Sequence, residues 1–578
     1  MANFAKIMSE LRNPTHQPGR SGKDLSHRKV LTMKIGELLP ILCEEVLPRD
    51  YFEIDTASLV RACQPLQTAA FMRCKVCFDF FFVPATAIWS NYTAYYTQKQ
   101  QQQSSVLQGS AYEPNMTLEE LYNCCDGAAQ NAVVDSKDAR FKILQLLGYG
   151  DHRYPTNPYS AGQQLEAIGQ KSLTTMPLGG YNLIYNMHYR NAWRDEPSSY
   201  DRKTYNFDWI PCGSYANSLT TANDYSYLAP GHLSLVQMHY HGWFSDLFMG
   251  SLPNQQFGAV SSIDTNQVNT ALVYGQTASV NGSTFDSVRQ TSNSDTYPGT
   301  VYGHIDSDGT NSKFAVKTVK TQFDVIALRK ALALQKFKEQ NARAGWKASA
   351  QTKAFFGVDK PKDKDHEIDF LQSYEFPVMV DEVVSQNGAT GGNLGDLGGK
   401  AIGVGNGRTL KFDSDGRHGY LYCIAYIMPE SEYDAVGIDQ MLVRSEPFDH
   451  YCDVFENLGL TPISKYNLNA KGNPSVFNNV VGYAARYWDY KTRLDKVYGE
   501  FVGSTGTLRH WVTPRIDLES IANSGFIPTY LYYVYPSIAD NVFGVAADGS
   551  QTTDQFMLNV RFTNLAVRPM SDVGLPSL

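Results

Sequence analysis

The chain has 578 residues, a formal net charge of −8, 43% hydrophobic and 12% aromatic residues, with 36 Tyr against 29 Phe. That length allows a large core, and the negative balance excludes a chain that coats nucleic acid with its whole surface. With no apolar run of about 18 residues and no apolar core in MANFAKIMSELRNPTHQPGR, the expectation is a chain made and folded in a cytoplasm, with no membrane insertion.

Residues 1–34 carry seven basic side chains (Lys6, Arg12, Arg20, Lys23, Arg28, Lys29, Lys34) against Glu10 and Asp24. With two Pro, two Gly and little periodicity, this segment reads as an extended basic arm up to about residue 30. Arg12, Arg20, Lys23, Arg28 and Lys29 are the candidate phosphate-neutralising residues, since Arg and Lys on a flexible strand release counterions without reading bases. A merely solvated terminus is the plainer reading of the same charge.

A Pro48-Arg49-Asp50 turn then leads into alternation at Phe52, Ile54, Thr56, Ser58 and Val60. In CKVCFDFFFVPATAIW, residues 74–89, Val76, Phe78, Phe80 and Phe82 line one strand face while Cys77, Phe81 and Val83 fill most of the other. A strand apolar on both sides must be covered twice, and Pro84, with no N–H to donate, ends its ladder. Residues 117–147 read as mixed and mainly helical, and strand-like Tyr/Phe patterns recur at 181–190 and 205–210.

Residues 250–312 carry five Asp against Arg289 and almost no periodic apolar signal, the composition of a functional loop or small subdomain. From Val325 to Arg343 the chain predicts its clearest helix, stopped by Gly345. Residues 387–407 hold nine glycines and read as a flexible Gly-rich loop. Strand patterns follow at 418–428, 479–490, 508–513 and 529–535, and the chain closes on Phe556, Leu558, Val560 and Phe562 sharing a face. Core strands separated by long excursions predict a mainly β fold, a β-sandwich or jelly roll with elaborated loops.

Candidate chemistry is sparse. Cys74-x-x-Cys77 has no second pair at zinc-site spacing, and its cysteines read as small buried hydrophobes among nine spread over the chain. His239-Tyr240-His241 sets two imidazoles on one strand face, a weak metal spacing against a structural or interface role. Gly399-Lys400 is followed by Ala401 where a phosphate loop needs Ser or Thr. No catalytic residue, metal site or cofactor site is nominated.

In order along the chain stand Glu45-Val46-Leu47-Pro48 with Asp50 and Phe52; Phe80-Phe81-Phe82-Val83-Pro84 with Trp89; and Leu178, Tyr181-Asn182-Leu183-Ile184-Tyr185-Asn186 and Arg190. Ser251-Leu252-Pro253, Leu328-Arg329-Lys330 with Gln335-Lys336 and Ala342-Arg343, and Val567-Arg568-Pro569-Met570 complete the series. In these motifs the chain resembles the major capsid proteins of the Microviridae, the small single-stranded-DNA phages, gokushovirus type. The variable stretches 100–175, 255–320 and 360–410 do not align by eye.

The resemblance implies an eight-stranded antiparallel jelly roll with long inserted loops and a few helices, a single domain over 35–578. It implies a structural, non-enzymatic role in a T=1 icosahedral shell of about 60 copies with five-, three- and two-fold contacts, enclosing circular single-stranded DNA. By the same resemblance the arm 1–34 faces the interior, and 255–318 is a surface insertion projecting at the three-fold axes and contributing to host attachment. The implied partners are the packaged DNA, minor virion proteins (a DNA pilot protein, a small internal or scaffolding protein) and a host surface receptor. The protein would reside in the virion after assembly in the host bacterial cytoplasm. A phage adhesin or carbohydrate-binding β-sandwich is the competing reading of the Tyr and Trp content.

Overall fold

The computed structural model describes residues 19–96, 137–150, 172–191, 236–256, 366–384, 397–512, 532–543 and 554–571, apart from short interruptions, together with 115–117, 268–274, 302–305, 312–319, 325–344 and 348–358. Arg12, the pattern at 205–210, residues 387–396 and most of 255–318 lie outside the described residues.

Ten strands form one antiparallel sheet: β1 (Ser21–Asp24), β2 (His27–Met33), β3 (Leu39–Val46), β4 (Tyr51–Ala62), β5 (Cys74–Pro84), β6 (Asp369–Val384), β7 (Leu397–Asn406), β8 (Leu410–Asp413), β9 (Gly419–Pro429) and β10 (Phe556–Arg568). The hydrogen-bonded path runs β1–β10–β4–β7–β6–β5–β9–β3 through eight strands, with β2 also on β10 and β8 also on β4. The mainly β expectation holds.

The long strand β6 joins two wings. Its residues 369–378 pair with β5, past an irregularity at Phe370/Gln372, and residues 379–384 pair with β7. The sheet curls so that the inner faces of the two wings meet: the Phe82 ring of β5 lies 4.9 Å from that of Phe412 on β8. Phe52, Ile54, Val60, Phe556, Leu558, Val560 and Phe562 fill this core from one wing, and Val76, Phe78, Phe80 and Phe82 from the other. The alternation read at 52–60 and 556–562 is the inward row of β4 and β10.

The two-faced strand is β5, buried at every position except Lys75 and flanked on both edges by β6 and β9. Its second face meets a helix. Helices α1 (Lys137–Leu146) and α2 (Met176–Ile184) precede the long insertion, and α2 runs on as a π-type turn over Tyr185–Tyr189. His188 and Tyr189 of that turn edge onto Phe81 at 4.9 and 5.8 Å. Both covers of β5 therefore come from its own chain.

Four sequence readings are corrected. Residues 181–190 are not a strand: Leu178, Tyr181, Ile184 and Tyr185 recur at helical spacing, and Gly180 lets the helix meet Tyr422, whose hydroxyl would lie 2.2 Å from an added Cβ. The Gly-rich run is not a loop throughout, since its second half is β7. Gly403, Gly405 and Gly407 there lie under the rings of Phe376 and Tyr374, and an added Cβ at Gly405 would sit 2.2 Å from Phe376. Within the stretch read as a strand at 508–513, the described residues 508–512 make a 3-10 turn, Arg509–Trp511, where Trp511 and Val512 bridge to Phe71. The basic segment is not a free arm over its whole length, because β1 and β2 are paired to β10.

Asn254–Asp359 form a separate compact unit. It holds a three-stranded antiparallel sheet ordered 268–274, 312–319, 302–305, then α3 (Val325–Ala344) and α4 (Ala348–Phe356), with Phe337 and Phe355 5.1 Å apart. The predicted helix 325–343 is α3.

Candidate functional site

Pairing with β10 sorts the basic side chains by parity. Lys23 and Lys29 lie opposite the buried Ala566 and Val560, on the inward side, and are half-buried. Burial lowers the Lys29 ammonium pKa, partly offset by nearby Cys43 and Glu44. Arg20, just before β1, is exposed, and Arg28 is exposed on the outward face, its Nε donating to Asn559 Oδ1 at 2.7 Å. Of the five candidates, the structure thus turns Arg28 outward and Lys23 and Lys29 inward, leaves Arg20 exposed ahead of the sheet, and does not describe Arg12.

Two motifs from opposite ends of the sequence meet. Arg568 donates from Nε and Nη2 to Asp50 Oδ2 at 3.2 and 3.0 Å, and also to the Glu45 carbonyl. Its guanidinium lies over the Phe52 ring at 5.6 Å. Asp50 is fully buried and also accepts from the Leu47 amide at 2.8 Å, while Arg49 turns the chain at φ 71°. A charge-assisted pair at this depth fixes where β10 ends against β4. Nearby, Lys142 of α1 bridges the buried Glu37 at 2.9 Å and Asp554 at 3.0 Å.

The far face of β5 holds one carboxylate, Asp79, 3% exposed. The hydroxyls of Tyr189 and Tyr426 donate to its Oδ2 at 2.7 and 2.9 Å. His241 stacks on Tyr426 at 4.6 Å, and His239 stacks on Tyr185 at 3.8 Å with Nε2 2.7 Å from Asn182 Oδ1. Loss of hydration pushes His239 down to about 3 and His241 down to about 4, so both are neutral rings in an aromatic layer. This is the structural reading of the His-x-His pattern.

Cys74 and Cys77 are three residues apart on one strand and so project from opposite faces, unable to grip one ion together. Burial raises the Cys77 thiol to about 12 and the Cys74 thiol further, a thiol environment and not a thiolate one.

The sequence reading missed an exposed apolar tract. Leu442, Val454, Leu458 and Tyr498 are 65–79% exposed, and Met441, Phe448, Tyr451 and Tyr490 are about half exposed or more. Arg444 lies over the Tyr490 ring at 4.2 Å while paired with Asp489, and Tyr451 edges onto Tyr487 at 5.3 Å. Short 3-10 and helical turns carry these residues, so no period of two or 3.6 announces them. Exposed apolar residues this numerous within one stretch of chain suit contact with another protein.

The profile of the family "Capsid protein (F protein)" matches residues 12–143 and 162–578. Among curated proteins, capsid protein VP1 of Chlamydia phage 1 is 23% identical over 581 residues, covering 88% of this chain and 90% of that protein. Capsid protein VP1 of Bdellovibrio phage phiMH2K is 21% identical over 484 residues, covering 81% of this chain and 80% of that protein. The matched family and both relatives are structural capsid proteins and not enzymes, in keeping with a sheet whose buried polar groups are spent on holding strands, helix and chain ends together. The chain belongs to the phage capsid protein (F protein) family and is a structural component of a virion.

Proposed function

We propose that the curled sheet is a jelly-roll wall unit, about 60 copies of which close a T=1 icosahedral shell around a circular single-stranded DNA genome. The observation that carries this reading is the apolar tract at 441–458 and Tyr498, left uncovered in a chain that covers both faces of its most aromatic strand by itself. Neighbouring copies at five-, three- and two-fold contacts cover it, each interface on the obligate scale of about 2,000 Å2 or more. The basic segment 1–34 faces the interior, with Arg12, Arg20 and Arg28 neutralising phosphate. The acidic insertion within Asn254–Asp359 projects at the three-fold axes, where a polar loop tolerates exposure, and contributes to host attachment. Assembly occurs in the host bacterial cytoplasm with minor virion proteins: a DNA pilot protein and a small internal or scaffolding protein.

Electron microscopy of the purified protein tests the reading. Closed shells of about 60 subunits support it. Trimers under all assembly conditions would instead support the adhesin alternative, which the family match already disfavours.

A further inference from the structure

Strand register puts two arginines side by side on the outward face of the sheet. Arg28 of β2 lies directly opposite Arg561 of β10, and directly opposed residues of an antiparallel pair share a face. Arg561 is opposite Ala57 of β4, and Arg61 lies four residues further along that strand, about 13 Å away, opposite Met557. All three guanidinium side chains are exposed. Like charges directly opposed cost stability, yet among the described residues neither Arg61 nor Arg561 has a side-chain hydrogen bond or ion pair, and Arg28 meets only the Asn559 amide oxygen.

Two acidic residues of this face lie near Arg561 without forming an ion pair: Asp24, whose carboxylate feels its charge, and Asp55, on the diagonal across β4. Glu53 pairs with Lys411 at 3.4 Å, Asp24 accepts from the Ser26 amide at 2.9 Å, Asp55 is opposite Thr563, and Asp381 is opposite Lys400. Around the arginines the exposed positions are apolar: Val30 (66% exposed), Met557, and Val404 (68%) on the neighbouring β7. Three guanidinium groups, none of them in an ion pair among the described residues and all set among exposed apolar atoms, suit an extended polyanion that carries its own apolar faces.

We infer that the outward face of β2, β10, β4 and β7 binds the backbone of single-stranded DNA, with Arg28, Arg61 and Arg561 neutralising phosphates and Val30, Met557 and Val404 underlying the bases. The inference rests on the proposed DNA-filled shell and moves genome contact from the arm alone to a rigid sheet face. It removes Lys23 and Lys29 from the contact, because their parity turns them inward.

The test compares the full-length chain with the triple variant Arg28→Gln, Arg61→Gln, Arg561→Gln and with the corresponding triple lysine variant. Binding of fluorescent oligothymidine is measured across a salt series, and DNA-filled particles are counted by electron microscopy. The glutamine variant should bind more weakly and lose about 2 from the slope of log K against log salt, at about 0.7 per phosphate contact. It should yield fewer filled particles, and the lysine variant should restore both. Its thermal midpoint should be unchanged or raised, because an opposed arginine pair has been relieved. Unchanged affinity and salt slope overturn the inference. Unchanged DNA binding with lost shell closure also overturns it, and makes the face a contact between copies. A wild-type chain that closes shells but takes up no DNA overturns the DNA-filled reading beneath it, whereas the variants speak only to this face.

Discussion

The β5–β9 wing and the β4–β10 wing belong to one sheet but are buried by opposite rules. Strand β5 is buried at ten of its eleven positions on both faces, whereas β10 alternates buried with exposed or half-exposed residues along nearly its whole length. The cause is what lies behind each. The turn after α2 and residues 238–241 pack on the far side of β5 and β9, while no described residue covers the outward side of β10. Within one molecule, sequence texture therefore reports layers: rows of Phe on both faces mark an internal wall, and clean alternation marks a wall facing something outside the chain.

Breaking the doubly covered wing should cost most. Phe81→Ala, which removes a fully buried ring packed on His188, Tyr189 and Phe370, should lower stability by about 3–5 kcal/mol, read by denaturant unfolding of the soluble subunit. Asp50→Ala should cost about 3 kcal/mol in the same assay by leaving Arg568 without its buried partner. Asp50→Asn should lose less, because the amide oxygen can still accept. Gly405→Ala, at the seam between the wings, should cost about 1–3 kcal/mol as Phe376 is forced aside; a midpoint equal to wild type would show that the ring yields freely.

Acid sharpens the contrast by acting on the covered wing. His239 and His241 are held at about 3 and about 4 in the folded chain, against about 6.5 when unfolded. As pH falls the unfolded chain takes up protons first, so this stability is complete above about pH 6.5 and is lost below it, by about 1.4 kcal/mol per pH unit per imidazole. Asp79 acts against the His241 shift and His188 acts with it. Thermal midpoints should fall between pH 7 and 5, and His241→Phe, which keeps the ring on Tyr426, should flatten the fall; identical pH profiles for the two chains would contradict this account. The smallest effect belongs to the exposed wing, where Val30→Ser should change subunit stability by less than about 0.5 kcal/mol.

Most of this architecture was legible where side chains face one core. Phe52 to Val60, Phe78 to Val83, and Phe556 to Phe562 declared their strands because burial on a pleated surface has a period of two. Strand β7 was hidden for a physical reason: its buried positions are Gly399, Ala401, Gly403 and Gly405, and apolar matter is supplied there by Phe376 from β6. Helix α2 was misread because Tyr181 and Tyr185 resemble strand aromatics until Leu178 and Ile184 are counted at helical spacing. The candidate surface was half legible. Basic residues 20–29 were visible as charge, but which of them face outward is decided by pairing with β10, more than 500 residues later, and Arg61 and Arg561 have no charged neighbours in sequence to draw attention to them.

The position of β10 also sets a clock. It lies between β4 and the β1–β2 edge, and Arg28 touches a residue 531 positions later in the chain. On a ribosome, β1, β2 and β4 emerge early and wait for nearly the whole polypeptide before the strand that joins them exists. A chain that stops just before residue 556 contains every strand that pairs with β5 but lacks the strand on which the other wing is centred. Such a fragment lacks the strand that joins β4 to the β1–β2 edge, and with it one whole wing of the sheet.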